Sequence, residues 1–183
     1  MYFRCYNKCP EFLDCPCELT LAEMEKLMGM STPCPIGEAD GFYECMEGDE
    51  FFCMIIGSRT FNDYNLLREK TDHLLSGVSK DMQITIVSGG AEGADKLAER
   101  YARERCYRFL QFSADWSRGK IAGYERNERM HRFLQKVSRE HNAKRGVIAF
   151  WNGKSKGTAQ SFKLAEKYGN PMRVIRFQEE NYD

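Results

Sequence analysis

Three loops in this chain carry residue types that can hold a phosphate. Gly57-Ser58-Arg59 offers a turn-forming glycine, a hydroxyl, and a planar guanidinium suited to phosphate or carboxylate. In the stretch SGGAEGAD, Gly89, Gly90 and Gly93 let backbone N–H groups approach a ligand closely as a helix begins, with Ser88 and Asp95 at the ends. In WNGKSKGTAQ, Ser155, Gly157 and Thr158 present hydroxyl and backbone donors. Lys154 and Lys156 add positive charge there, but exposed lysines read best as solvated surface. The SGGAEGAD loop is not a Walker A loop, since no GKS or GKT follows, nor is it a standard GxGxxG. A Gly-rich turn can also be no more than a tight strand-to-helix connection. Its place after a strand favours a ligand.

A fourth stretch, DWSRGKIAGYERNERM, combines Trp116, Gly119, Gly123, Arg126, Asn127 and Met130. Trp116 suits stacking on a base, and equally suits a partly buried aromatic that only closes the domain. His73, His131 and His141 fall in predicted helices without motif partners, so they read as exposed or packed residues and not as part of a nucleophile system. Cys106 is expected to pack against the sheet as a small apolar side chain.

The elements that must position these loops follow from periodicity. Five β-type runs, FFCMII, ITIV, YRFLQF, GVIAF and MRVIRF, alternate with stretches of helical spacing. Asn62 or Asp63 can cap the first of these helices, with Leu67, Leu74, Leu75 and Val78 on one face. Leu97, Ala98, Tyr101 and Ala102 mark the second, Met130, Phe133, Leu134 and Val137 the third, and Phe162, Ala165 and Tyr168 the fourth. Five strands joined by four crossovers predict an α/β fold, a Rossmann-like five-stranded parallel sheet with helices on both faces and right-handed connections. Ligands in such sheets bind beyond the strand C-termini, where the three loops lie.

The chain has 183 residues, 42% of them apolar, and a formal net charge of zero. That is a folded protein with one full domain and at most a small appendage, which excludes a large multidomain machine. Residues 1–50 form a Cys-rich N-terminal extension, in which Thr20 and Glu23 make a capping box for one short helix; residues 51–183 form the Rossmann-like domain. No apolar run is long enough to span a membrane, and the N-terminus lacks the apolar core of a secretory signal, so a cytoplasmic location is expected. Residues 1–53 carry 3 Lys/Arg against 11 Asp/Glu, and the remainder carries 24 against 16. A basic C-terminal segment suits an anionic ligand, whereas overall neutrality argues against coating nucleic acid.

Taken in order, GSR, SGGAEGAD, the Trp116 to Met130 stretch and SKGT resemble the YspA-related branch of the SLOG superfamily, named for the DprA/Smf and LOG proteins. The resemblance spans residues 53–177. It implies a site for a nucleotide or nucleotide-derived phosphorylated ligand that the protein senses or processes. On this resemblance Gly57, Ser58 and Arg59 form the first loop of the pocket, and Gly89, Gly90, Gly93 and Asp95 its phosphate-facing turn. Arg126 and Asn127 enter from a helix start, Arg126 to hold a phosphate and Asn127 to read a ribose hydroxyl or base edge, while Gly157 and Thr158 come from the last loop. Relatives in the superfamily are commonly dimers, so a homo-oligomer sharing an apolar helix face is compatible with the chain.

Two other activities occur in the superfamily. LOG proteins hydrolyse the N-glycosidic bond of cytokinin nucleotides, and DprA binds single-stranded DNA. LOG enzymes have PGGxGTxxE; here Gly157 and Thr158 match, and Ser161 stands in the place of the glutamate. If the chain is nevertheless a hydrolase, cleavage at a ribosyl carbon needs a carboxylate to steady positive charge or orient water. Glu92 and Asp95 are the candidates, with Glu125 behind them. Asp95 equally suits capping its helix or orienting Arg59.

Cys5, Cys9, Cys15, Cys17, Cys34 and Cys45, several beside Pro or Gly, are candidate ligands of a structural zinc ion, although their spacings do not reproduce a pair of CxxC knuckles. Reduced unliganded thiols are the second reading, and disulfides the last for a cytosolic chain. Cys53 belongs to the first strand and is excluded from the ligand set. A zinc site predicts a zinc-mass adduct in native mass spectrometry that is lost on denaturation. Eight free thiols in a chain without an adduct would remove the site.

Overall fold

The computed structural model describes residues 49–178. The six candidate zinc ligands and the capping box at Thr20 lie outside them. The described chain runs β1 (Glu50–Gly57), α1 (Tyr64–Leu75), β2 (Gln83–Ser88), α2 (Ala94–Glu104), β3 (Arg108–Gln111), a single 3-10 turn (Trp116–Arg118), α3 (Ile121–His141), β4 (Lys144–Trp151), α4 (Lys156–Lys167) and β5 (Met172–Arg176). The five strands form one sheet in the order β3-β2-β1-β4-β5, every pair parallel. This is the Rossmann-like α/β architecture expected from the alternation of runs.

Side-chain alternation along β1 builds the two cores. Phe52, Met54 and Ile56 face Met130, Phe133, Leu134 and Val137 of α3, with Phe162 of α4 packed alongside. Cys53 and Ile55 face the opposite layer, where Leu67 of α1 and Ala98, Tyr101 and Ala102 of α2 close over them. Two helices therefore cover each face. A sheet buried on both sides needs strands that are nearly continuous apolar runs, which is how FFCMII reads.

Local chemistry sets the helix ends. Asp63, not Asn62, caps α1, its Oδ1 accepting the Leu66 N–H at 2.9 Å. Cys106 departs from expectation: it is exposed, not packed on the sheet. It sits just past α2 at φ 53°, where the Tyr107 N–H bonds the Ala102 carbonyl and turns the chain into β3. A helix-ending residue in the left-handed region points its side chain away from the layer it has just left. The histidines stand as read: His73 and His141 are exposed, and His131 is fully buried, its Nδ1 3.2 Å from the Asn170 amide.

Leu134 is completely buried in the α3 layer, so Leu134→Ala should lower the unfolding free energy by about 2–5 kcal/mol in urea titration. Ile121→Ala, on the exposed start of the same helix, should stay within about 0.5 kcal/mol of the parent. Equal losses at the two positions would contradict this layering.

Candidate functional site

The strand order reverses between β1 and β4, and that is where an open parallel sheet leaves a crevice beyond its C-terminal edge. The two loops that leave this point are fastened to each other. The Ser58 N–H donates to the Phe150 carbonyl at 2.9 Å, and the Asn152 N–H donates to Ser58 Oγ at 3.2 Å. Asn152 Oδ1 then accepts from the N–H groups of Lys154 and Ser155, a tight turn that delivers Ser155 as the cap of α4. Above these contacts opens a cleft of about 490 Å³.

Its floor is an ion pair. Arg126 Nη1 lies 3.4 Å from Asp95 Oδ2, and both side chains are more than nine-tenths buried. Asp95 also accepts from the Ala91 N–H at 3.2 Å. The Arg126 guanidinium rests directly on Gly89: a Cβ added there would stand 1.6 Å from Nη1. Gly89 is thus required by a side chain of the protein itself. Gly93, at φ +81°, serves the backbone, since a Cβ there would come within 2.4 Å of the Ser58 carbonyl oxygen. Burial pushes the Asp95 carboxyl up to about 6, against the opposing pull of Arg126, the Ala91 and Gly89 N–H groups and Arg59. Burial likewise lowers Arg126, opposed by Asp95. The Arg126 Nε and the Ser161 hydroxyl are buried with no hydrogen-bond partner among the described residues, and both residues line the cleft.

The rim is aromatic and basic. Arg59 is exposed, its guanidinium 5.6 Å from the centre of the Trp116 ring, and Trp116 is itself 53% exposed. Trp116 packs near Gly123, and Tyr124 continues the wall. Asn127 faces the cleft while its amide nitrogen donates to Gly157 O at 3.3 Å and Gln160 Oε1 at 3.2 Å, which fixes the start of α4 against α3. Thr158 is tied to Ser155, donating its hydroxyl to Ser155 Oγ at 2.9 Å.

Of the residues singled out by sequence, Gly57, Ser58, Arg59, Asp95, Trp116, Arg126, Asn127, Ser155, Gly157 and Thr158 line this cleft together. Gly89, Gly90 and Glu92 line an adjoining cavity, so the two candidate carboxylates face different chambers. Ser88 reaches neither cavity: it is fully buried, and its hydroxyl donates to the Ile55 carbonyl, fastening β2 to β1. Gly93 is also outside both, beneath the first loop. Glu125 pairs with Arg118 at 2.7 Å and lines neither. Asp95 orients Arg126 and caps nothing beyond the loop before its own helix. Arg126 and Asn127 do not enter from a helix start, because α3 begins at Ile121 and places them in its second turn. Lys154 and Lys156 are exposed and line neither cavity.

Sequence reasoning did not pick out Thr60, Lys120, Tyr124 or Asn152 as lining residues. Tyr124 and Asn152 lie inside the stretches already quoted, but an aromatic or amide in a loop announces no direction. Ser161 stood out only as a missing glutamate, yet it faces the cleft.

Fold and cleft together define a Rossmann-like α/β protein with a cleft at the topological switch point. Residues 53–119 match the model of the YspA, cpYpsA-related SLOG family. The match includes the first two loops and Trp116 and stops before Arg126, Asn127, Gly157 and Thr158. Among solved structures the chain is similar to a predicted subunit of tRNA methyltransferase from Methanocaldococcus jannaschii, at 10% identity and a TM-score of 0.32 over 73% of this chain and 70% of that one. No curated protein matches. Among the described residues no helix is long and apolar enough to cross a membrane, and no group of three or more His, Cys, Asp or Glu could hold a metal ion.

A carboxyl raised by folding binds its proton more tightly in the folded chain. Between about pH 4 and pH 6 the folded state therefore holds more protons at Asp95 than the unfolded state does. The contribution of this group to stability is highest below about pH 4 and is lost as the pH rises through about 6, by roughly 3 kcal/mol for a shift of this size. The unfolding free energy of the parent minus that of Asp95→Asn should rise as the pH falls from 7 to 4. A flat or opposite difference would mean that Asp95 is not the desolvated group described.

Proposed function

We propose that the cleft binds a nucleotide or nucleotide-derived phosphorylated ligand and retains it intact. The observation that carries this reading is Arg59. Its exposed guanidinium stands at the mouth over Trp116 and has no carboxylate partner among the described residues, in contrast to the paired Arg126 below it. A phosphate at the mouth meets Arg59, and the Arg126 charge beneath adds to the attraction. A base has the open Trp116 ring to stack on, with Tyr124 beside it. Asn127 Oδ1, with its amide nitrogen already engaged, is an acceptor for a ribose hydroxyl or a base N–H. Loops that converge on one crevice from the ends of β1, β2 and β4 are the usual setting for such a ligand.

Hydrolysis of an N-glycosidic bond is supported less well. At the cleft position where LOG proteins keep a glutamate, Ser161 supplies a hydroxyl, which carries no charge to steady an oxocarbenium ion. Asp95 is engaged with Arg126 and the Ala91 N–H, and Glu92 faces the other chamber. Binding of single strands as in DprA would need a continuous basic groove, whereas the lining here mixes Arg59, Lys120 and Arg126 with small polar and aromatic residues.

The test is calorimetric titration of the full chain with a panel of nucleoside mono-, di- and triphosphates, followed by chromatography of each mixture. One or more should bind and be recovered intact. Arg59→Ala should keep the fold and weaken that binding about ten- to a hundredfold, as expected for the loss of a charge-assisted contact of roughly 1.5–3 kcal/mol. Unchanged affinity in Arg59→Ala would remove the phosphate from the mouth. Released base would make the protein a hydrolase.

A further inference from the structure

We propose that the cavity beyond Arg59 and Trp116 is a second subsite, and that the ligand is a nucleoside diphosphate whose terminal phosphate carries an uncharged sugar. This deepens the reading of the main cleft as a nucleotide site and rests on it. The two cavities share one wall: Arg59, Ala91 and Trp116 line both. The second holds about 430 Å³, close to the size of the first. A ligand whose phosphates sit against Arg59 therefore has room to continue past it.

The chemistry of the far chamber selects what continues. Apart from the shared wall, its lining has no cation and no aromatic ring. A further phosphate would meet no counter-charge there and would face the Glu92 carboxylate instead. A second base would find no ring of its own to stack on. Acceptors and neutral polar groups remain: Glu92, the Gln111 amide and the Ser113 hydroxyl. Gln111 is held in position, its Nε2 donating to Ser113 Oγ at 3.4 Å and its amide packed onto Gly90, where a Cβ would stand 2.6 Å away. A carboxylate and an amide oxygen beside a phosphate-binding guanidinium suit the vicinal hydroxyls of a sugar, which donate two O–H groups and carry no charge. Along the ligand the order becomes base at Trp116 and Tyr124, phosphates at the Arg59 wall, and sugar among Glu92, Gln111 and Ser113.

The experiment is calorimetric titration of the full chain with ADP, GDP and UDP and with ADP-glucose, GDP-mannose and UDP-glucose. For the base that binds, the sugar-bearing form should bind at least tenfold more tightly than the plain diphosphate. Gln111→Ala should remove most of that gain. Ala114→Phe, which fills the far chamber alone, should remove the gain and leave the plain diphosphate within about twofold of the parent, with circular dichroism confirming the fold. Plain and sugar-bearing forms that bind equally, or a gain that survives both substitutions, would overturn the second subsite and leave the nucleotide reading standing. Failure of all six to bind would overturn both.

Discussion

Strand β1 is hydrogen-bonded along both edges, to β2 and β4, and residues Phe52 to Ile55 are buried to within 1% on both faces. A backbone so placed has no freedom of register, because a shift by one residue would exchange every side chain between the two cores. From β1 the sheet grows outward in one direction through β2 to β3, and in the other through β4 to β5. The connections after β1 and β4 then lead to helices on opposite faces and must part company at the C-terminal edge. The cleft is that parting. Its base is closed by the Ser58 to Phe150 and Asn152 to Ser58 hydrogen bonds, and it opens above them because no further backbone pairing is geometrically available.

The ion pair on the floor joins the two faces. Asp95 comes from the first turn of α2, on one side of the sheet, and Arg126 from α3, on the other. They meet over Gly89, where only the absence of a side chain admits the guanidinium. Burying both charges is costly, as the upward displacement of the Asp95 carboxyl shows, so the pair is a poor source of net stability. What it provides is a cation fixed in direction at the bottom of a crevice. Arg59, exposed and 5.6 Å from the centre of the Trp116 ring, is a second cation at the mouth. One guanidinium is buried and held by its carboxylate partner, and the other is exposed at the rim.

The elements of the fold were legible in the chain because their signals are local. Each β-type run became a strand of the sheet, and Asp63 capped its helix through a bond to a residue three positions on. The three loops were legible as well, since glycine, serine and arginine after a buried strand are a statement about that loop alone. Sequence by itself thus determined the α/β class, the approximate span of every described strand and of α1, α2 and α4, and most of the residues that line the cleft, whereas the start of α3 at Ile121 was not legible. Tertiary structure alone decided which groups meet there. Asp95 pairs with Arg126, 31 positions away, because packing α3 and α2 on opposite faces brings their ends together at the sheet edge. Ser88 had the residue type of a ligand donor, but the last residue of β2 points its hydroxyl to the neighbouring strand. Glu92 and Asp95 stand three positions apart and face different chambers, because Gly93 reverses the backbone between them. Periodicity records which face of an element is buried; the partner on the far side of that burial is set by layer packing, and no local pattern encodes it.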